Sequence, residues 1–452
     1  MNYISSKVTS AINRIRNDGN FSLLLKASSF NVMTKIVGTA FGFLASFLIA
    51  RSYGPELYGI VATISSAFTL LSLIALFGNQ TLIVKIIPEY IEKHGYLIAK
   101  KLYFRILLIS LYLTGGIILL WTLSEYLTPI TLFRGLEQHG LLIAVLIAIA
   151  TYKRLNTKTL RALGDYKIYS MFDLLGPILL ASFVITSVSL EVPPQYFQYL
   201  YFVPQVLLCA LSFYFVQRVY SKKIQNTSNQ KPGTTAIPTK ASLIKTSFPM
   251  FGITISTAII AHCDILMLNH FTSAGTVGVY AIYAKIVIIS SLATQTINSM
   301  FAPTVSRLFS AQKLDELKFF AKKTTFLSFS LSLTLTFIFL VVHKSFLGFY
   351  GQEFLSELPT LYVLLFSSLV TSFFGPVGLY LNMTGHQASF FKIILIAACI
   401  NIIMNILLIP TWGALGAALA TLICVLTWNV LATLKTLKEL NHTIVWTGGF
   451  YA

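Results

Sequence analysis

The chain has 452 residues, of which 56% are hydrophobic and only 11% charged, with a net charge of +18 and a mean hydropathy of +0.76. So little charge excludes an ordinary soluble protein of this length, and apolar runs long enough to cross a hydrocarbon core of roughly 30 Å recur from end to end. The alternation in segments of roughly ten residues that marks a membrane β-barrel is absent; the composition predicts an all-α polytopic membrane protein.

About twenty polar residues, with Arg14, Arg16 and Asp18, precede the first apolar run, so that run is expected to stay as a helix rather than be cleaved as a signal. Twelve spans are predicted, at 28–50, 57–78, 105–124, 140–157, 168–190, 196–217, 248–270, 278–300, 324–343, 357–379, 390–410 and 414–434. Between spans six and seven, 218–247 reads RVYSKKIQNTSNQKPGTTAIPTKASLIKTS, with six Lys or Arg and no acid. Such a composition buries too little apolar surface to offset chain entropy, so it reads as a linker. It divides the chain into a six-helix lobe at 1–217, a basic cytoplasmic linker at 218–247 and a second six-helix lobe at 248–452.

With the N-terminus in the cytoplasm, the segments facing that side carry 28 Lys or Arg, and the opposite side carries Arg51, Arg134 and Lys344. That asymmetry places both termini in the cytoplasm. It also assigns the positive charge to loops beside an anionic leaflet, which argues against nucleic acid as a partner. Among the basic cytoplasmic segments are 79–105 and 153–167. Tyr196, Tyr199, Tyr201, Trp121 and Trp412 lie near span ends, where interfacial aromatics belong. Cys209, Cys263, Cys399 and Cys424 fall inside apolar runs as packing residues, and no metal-ligand spacing occurs. No phosphate-binding loop, zinc-protease motif or nucleophile elbow is present, so no cofactor is called for and the chain does not read as an enzyme.

An even number of spans per half lets the halves be parallel repeats about an axis along the membrane normal. At an offset of 219, Gly59, Ala62, Ser72 and Leu73 fall on Gly278, Ala281, Ser291 and Leu292. At 221, Leu160, Gly164 and Leu174 fall on Leu381, Gly385 and Leu395. Gly38 and Gly42 in span one, and Gly413 and Gly416 at span twelve, are spaced for close helix packing.

Charges inside spans are costly and point to sites or to internal partners. Asp264 in span seven and Lys285 in span eight lie at matching depth on neighbouring antiparallel helices, with His262 two residues before the acid. They form either an ion pair that relieves burial or an anion-binding lysine beside a titrating carboxylate. Lys35 in span one is a further cavity candidate, and Gln295 and Asn298 in span eight are polar groups suited to lining a cavity. Asp173 reads as the solvated end of span five, and Arg51 as an interfacial anchor on the outer face, paired with Glu56.

Several stretches in order, FLIARSYGPELYGIVATISS (47–66), GNQTLIVKIIPEY (78–90), AGTVGVYAIYAKI (274–286), NSMFAPTVSRL (298–308), LYLNMTGHQ (379–387) and NILLIPTWGALGAALAT (405–421), resemble the Wzx-type polysaccharide or O-antigen flippases. These form part of the multidrug/oligosaccharidyl-lipid/polysaccharide exporter superfamily. The resemblance implies two lobes in a V with pseudo-two-fold symmetry, in a bacterial inner membrane. It implies alternating access that flips an undecaprenyl-pyrophosphate-linked oligosaccharide, an O-antigen or capsule repeat unit of lipopolysaccharide type, to the periplasmic leaflet. An ion gradient drives the family. The resemblance carries Lys35, Lys285 and Asp264 onto cavity positions; the residues themselves add Asp264 with His262 as candidates for ion coupling, and Gln295 and Asn298 as groups that line the cavity beside the substrate or bridge helices. Membrane lipids, a polysaccharide polymerase and a chain-length regulator are the partners it suggests. Two transport readings compete: a multidrug antiporter of the same fold, which favours buried acids over lysines, and a teichoic-type polymer exporter.

Overall fold

The computed structural model describes residues 19–127, 139–226, 238–440 and 444–445. Within a bilayer every backbone N–H and C=O must find its partner inside the protein, and long apolar runs meet that demand as helices. The described residues form α1 (Gly19–Leu76), α2 (Asn79–Leu127), α3 (Gly140–Ala162), α4 (Tyr166–Ser189), α5 (Pro194–Leu200), α6 (Val203–Gln225), α7 (Lys240–Phe271), α8 (Ala274–Ser310), α9 (Leu314–Tyr350), α10 (Leu358–Phe374), α11 (Val377–Met383) and α12 (Gln387–Leu440), with no strand among them. Side-chain caps start three of these: Asp165 accepts from the Ile168 N–H, Thr239 from Ser242 and Ser273 from Thr276.

Nine helices among the described residues are long and apolar enough to cross a membrane. Each of the twelve expected spans lies on a helix or on an adjacent helix pair, but the helices are cut differently. The apolar part of α1, Met33–Leu76, is 44 residues long. Straight, it would extend about 66 Å, twice a hydrocarbon core. Gly54 breaks it, with φ 81 and ψ 176 just before Pro55, a conformation that glycine alone adopts without strain. Gly413, three residues after Pro410, breaks the 54-residue α12 in the same way at φ 54. In α2 the break is at Gly95, and the segment before it is an amphipathic helix that buries Leu82, Ile83 and Ile87 and carries an exposed Lys93–Glu89 pair at 2.8 Å. The expected loop 79–105 is therefore helical. The polar stretch 218–247 is helical at both ends, since α6 runs to Gln225 and α7 starts at Lys240.

Apolar clusters trace two lobes. Around the Gly54 break one cluster joins both, with Ala45, Ile49 and Tyr58 of α1 packed among Val277 and Tyr280 of α8 and Ala414 and Ala417 of α12. At the far end the cores are separate. One holds Leu76, Tyr103, Leu160 and Tyr220 together with Leu243 and Ala258 of α7; the other holds Phe301, Leu317, Tyr380 and Ile394.

The lobes touch most closely at Gly59 and Gly278. A methyl on Gly59 would fall 1.9 Å from the Ala274 carbonyl oxygen and 2.9 Å from the Gly278 nitrogen. A methyl on Gly278 would fall 1.9 Å from the Pro55 carbonyl oxygen and 3.1 Å from the Gly59 nitrogen. Equivalent residues meeting reciprocally are what a two-fold axis between repeats requires. Gly38 is a packing glycine, its added methyl meeting the Asp173 carbonyl oxygen at 2.7 Å, whereas Gly42 has open space beside it.

Candidate functional site

Below the Gly59–Gly278 contact the lobes part around a cavity of about 740 Å³. Its walls are Gly42 and Leu73 of α1, Gln80 of α2, Lys153, Arg154, Thr157 and Lys158 of α3, one face of α4 that includes Tyr169, Asp173 and Pro177, Gln205 and Leu208 of α6, and Thr254, Thr257, Ala258 and Ala261 of α7. Both halves contribute, because α7 belongs to the second.

The basic residues of α3 correct the sequence reading. The segment 153–167 was expected as a cytoplasmic loop, yet α3 continues to Ala162. Lys153 thus stands about 14 Å inside its helix at a rise of 1.5 Å per residue. Lys153, Arg154, Thr157 and Lys158 follow the i, i+1, i+4, i+5 spacing of one helix face. Their partners are neutral. Lys153 donates to the Gln205 side-chain carbonyl, Arg154 to the Thr69 hydroxyl at 3.4 Å, and Lys158 to the Tyr169 hydroxyl at 3.5 Å. Lys158 also lies 5.5 Å from the centre of that ring. None of the three cations belongs to an ion pair among the described residues. Asp173 is the one acid in the wall, and it feels Lys158 and Lys153 through space. A charge buried at a helix centre costs about 2.5–3.5 kcal/mol on insertion scales. Three cations against one carboxylate give the cavity wall a net positive charge.

Of the residues named from sequence, Lys35 is exposed and lies outside the cavity wall, although its charge acts on Asp173 and Tyr169 within it. Lys285 is half-buried and donates to the Gly42 carbonyl at 2.7 Å across the lobe boundary, its ammonium 5.8 Å from the centre of the Phe43 ring. It makes no ion pair with Asp264. Matching depth on neighbouring helices does not fix the direction around each axis: Lys285 faces α1 and Asp264 faces α12.

Asp264 is 6% exposed and accepts four hydrogen bonds, from Tyr280 Oη at 2.7 Å, Asn405 Nδ2 at 2.7 Å, Asn401 Nδ2 at 3.2 Å and the Thr421 hydroxyl. These neutral donors close a cage between α7, α8 and α12. His262 lies two residues away, about 200° around a helix of 3.6 residues per turn. It points to the other lobe and meets the Ser66 hydroxyl at 3.4 Å. His262 and Asp264 therefore occupy different sites.

Asn298 is half-buried, its Oδ1 without a partner among the described residues. The Gln295 side chain lies outside the described residues. Arg51 is exposed and forms no ion pair with Glu56. The sequence reading missed Lys153, Arg154 and Lys158 because a dense basic run at a span end looks like a loop. It also missed the cage donors, although Asn401 and Asn405 at i, i+4 within an apolar run mark one helix face.

A two-lobed helical membrane protein with a basic cavity between its lobes has counterparts. Residues 24–309 match the family described as polysaccharide biosynthesis protein. The chain belongs to that family. A curated relative, probable flippase AglR of Haloferax volcanii, is 28% identical over 172 residues. That alignment covers 37% of this chain and 36% of the relative, so it spans little more than a third of either. Among solved structures, the lipid II flippase MurJ in an inward closed conformation aligns with a TM-score of 0.64 at 15% identity, over 93% of this chain and 88% of that one. An inward-facing multidrug resistance transporter of the MATE family, in the MOP superfamily, aligns with a TM-score of 0.67 at 12% identity, over 91% and 98%. A MOP superfamily transporter from Pyrococcus furiosus aligns with a TM-score of 0.64 at 13% identity, over 92% and 97%. At these identities the likeness is one of fold. This polysaccharide biosynthesis family member is thus a multi-pass membrane protein with the two-lobed fold of the MOP superfamily.

Proposed function

We propose that the protein is a flippase that carries a lipid-linked oligosaccharide with an anionic head across a bacterial cytoplasmic membrane by alternating access. The observation that carries this reading is the set of three α3 cations, Lys153, Arg154 and Lys158, held in the inter-lobe cavity by neutral partners alone. A lipid diphosphate diester brings the negative charge those groups lack. Its ions and hydroxyls cannot cross hydrocarbon unaided, because burying them unpaired costs many kcal/mol. Between the lobes the head stays wet and paired while its tail remains in the bilayer. The basic wall disfavours the rival multidrug antiporter, whose cationic cargo needs acids in the cavity.

In this reading the seal lies at the Gly54 end, which faces outward, both termini face the cytoplasm, and the cavity admits substrate from the cytoplasmic leaflet. An ion gradient acts at Asp264, whose cage belongs to the C-terminal lobe while the α3 cations belong to the N-terminal one, so that ion uptake does not compete with the phosphates for the same groups. An undecaprenyl-diphosphate-linked O-antigen or capsule unit fits the charge count.

The test is export in a deletion strain complemented with the Lys153→Ala/Arg154→Ala double variant. Surface polysaccharide should fall at least tenfold at unchanged protein level, with lipid-linked oligosaccharide accumulating in the cytoplasmic leaflet. Undiminished export at equal expression would remove the cavity from the transport path.

A further inference from the structure

The C-terminal lobe has a cavity of its own. Beside the basic cavity, a cavity of about 300 Å³ lies wholly within the C-terminal lobe. The two share Ala261, an exposed residue of α7, as part of both walls. Their linings differ in chemistry. The C-terminal compartment has no Lys or Arg, and its one charged residue, Asp264, is saturated by four donors. Hydroxyls supply most of its remaining polar atoms, among them Thr294 of α8 and Ser367, Ser368, Thr371 and Ser372 of α10.

Those hydroxyls are oriented. Ser367 donates to the Val363 carbonyl at 2.9 Å and Thr371 to the Ser367 carbonyl at 3.1 Å. Ser372 is engaged in a triad of hydroxyls, 2.9 Å from Ser332 and 3.3 Å from Thr294, and lies 3.1 Å from the Ser368 carbonyl, so the acceptors left to a ligand are chiefly those of Ser367 and Thr371. A hydroxyl whose proton is committed to its own helix keeps lone pairs free to accept. The compartment therefore presents acceptors and apolar surface, and offers no charge to a phosphate. Its complement is an uncharged ligand dense in O–H donors, with carbon faces between them.

Given the flippase reading above, on which this inference rests, we propose that the C-terminal compartment holds the sugar attached to the phosphate while α3 holds the phosphates. The cargo is divided by chemistry: anionic linkage on the N-terminal side of Ala261, first sugar on the C-terminal side. The lobe that carries the Asp264 cage is then also the lobe that reads the glycan, because Asp264, Tyr280 and Thr421 line this compartment as well.

The full-length protein in lipid nanodiscs is titrated with four probes: undecaprenyl diphosphate alone, and the same lipid bearing glucose, galactose or N-acetylglucosamine. The wild type should bind at least one glycosylated lipid about tenfold more tightly than the bare diphosphate. Thr371→Leu, which fills the compartment, should bring that ratio to near one. Thr371→Val removes the hydroxyl while keeping the shape, and should reduce the ratio about threefold even if the leucine variant folds poorly. A wild-type ratio near one for all three sugars, or a ratio that survives both substitutions, overturns the assignment. Lys153→Ala/Arg154→Ala should weaken all four probes alike. Absence of binding to every probe by the wild type would instead remove the flippase reading itself.

Discussion

Lys285 crosses the boundary between the lobes to donate to the Gly42 carbonyl. At the offset of 219 that relates the halves, Lys285 corresponds to Ser66, and Phe43 beneath the Lys285 ammonium corresponds to His262. The Ser66–His262 contact is therefore the pseudo-symmetric mate of the Lys285–Phe43 contact. Ser66 and Lys285 each lie seven residues from the Gly59–Gly278 crossing, along α1 and α8 respectively.

Removing Lys285 should loosen the contact between the lobes. A hydrogen bond from a charged group contributes about 1.5–3 kcal/mol net, or roughly a 10- to 100-fold shift in a two-state equilibrium. Lys285→Ala should widen the lobe separation at the Gly54 end, as read by distances between spin labels on α1 and α8, and lower polysaccharide export. Lys285→Met keeps the stem and should behave the same way. Unaltered distances in both variants would show that the bond contributes nothing to closure.

Gly59→Ala places a methyl against backbone that has no side chain to move aside. Overpacking of this kind costs about 1–3 kcal/mol, and should appear as a lower melting temperature with impaired closure. Gly115→Ala is the control, since nothing lies within 4 Å of its added methyl. That change should be neutral or stabilise by up to about 1 kcal/mol. Equal melting temperatures for the two variants would contradict the close contact.

These contacts show which features the sequence carries and which it hides. Span positions follow from hydrophobic runs, and the repeat offset that pairs Gly59 with Gly278 is visible because glycine is distinctive. Direction around a helix axis is not visible: Asp264 and Lys285 share a depth, yet one faces Asn401 and Asn405 and the other faces Gly42. Neither is the difference between a basic loop and a basic helix face. Lys153, Arg154 and Lys158 have the composition of the first and the geometry of the second, and only packing against Gln205, Thr69 and Tyr169 separates the two.

Asp264→Asn keeps the shape of the cage but removes its ionisable carboxyl, the group proposed above to take up the coupling ion. Transport in proteoliposomes should lose its dependence on the coupling gradient and on pH, while Tyr280, Asn401 and Asn405 still hold the fold. A variant whose pH profile matches the wild type would assign the cage a purely structural role.

Asn226 caps the end of α6 and is exposed. A cysteine there should react with a membrane-impermeant maleimide in inverted vesicles and stay unlabelled in intact cells. Labelling from outside would reverse the orientation and, with it, the side from which the basic cavity fills.

The reciprocal glycine contact also bears on how such a chain arises. In a protein of half this length, one glycine would meet its own copy across a dyad, so a homodimer closes with a single small residue at its axis. Copies that insert the same way up can be fused end to end through a polar connector alone. After fusion the halves no longer share one gene sequence, and each is free to specialise: here one carries a wall of cations and the other a caged carboxylate.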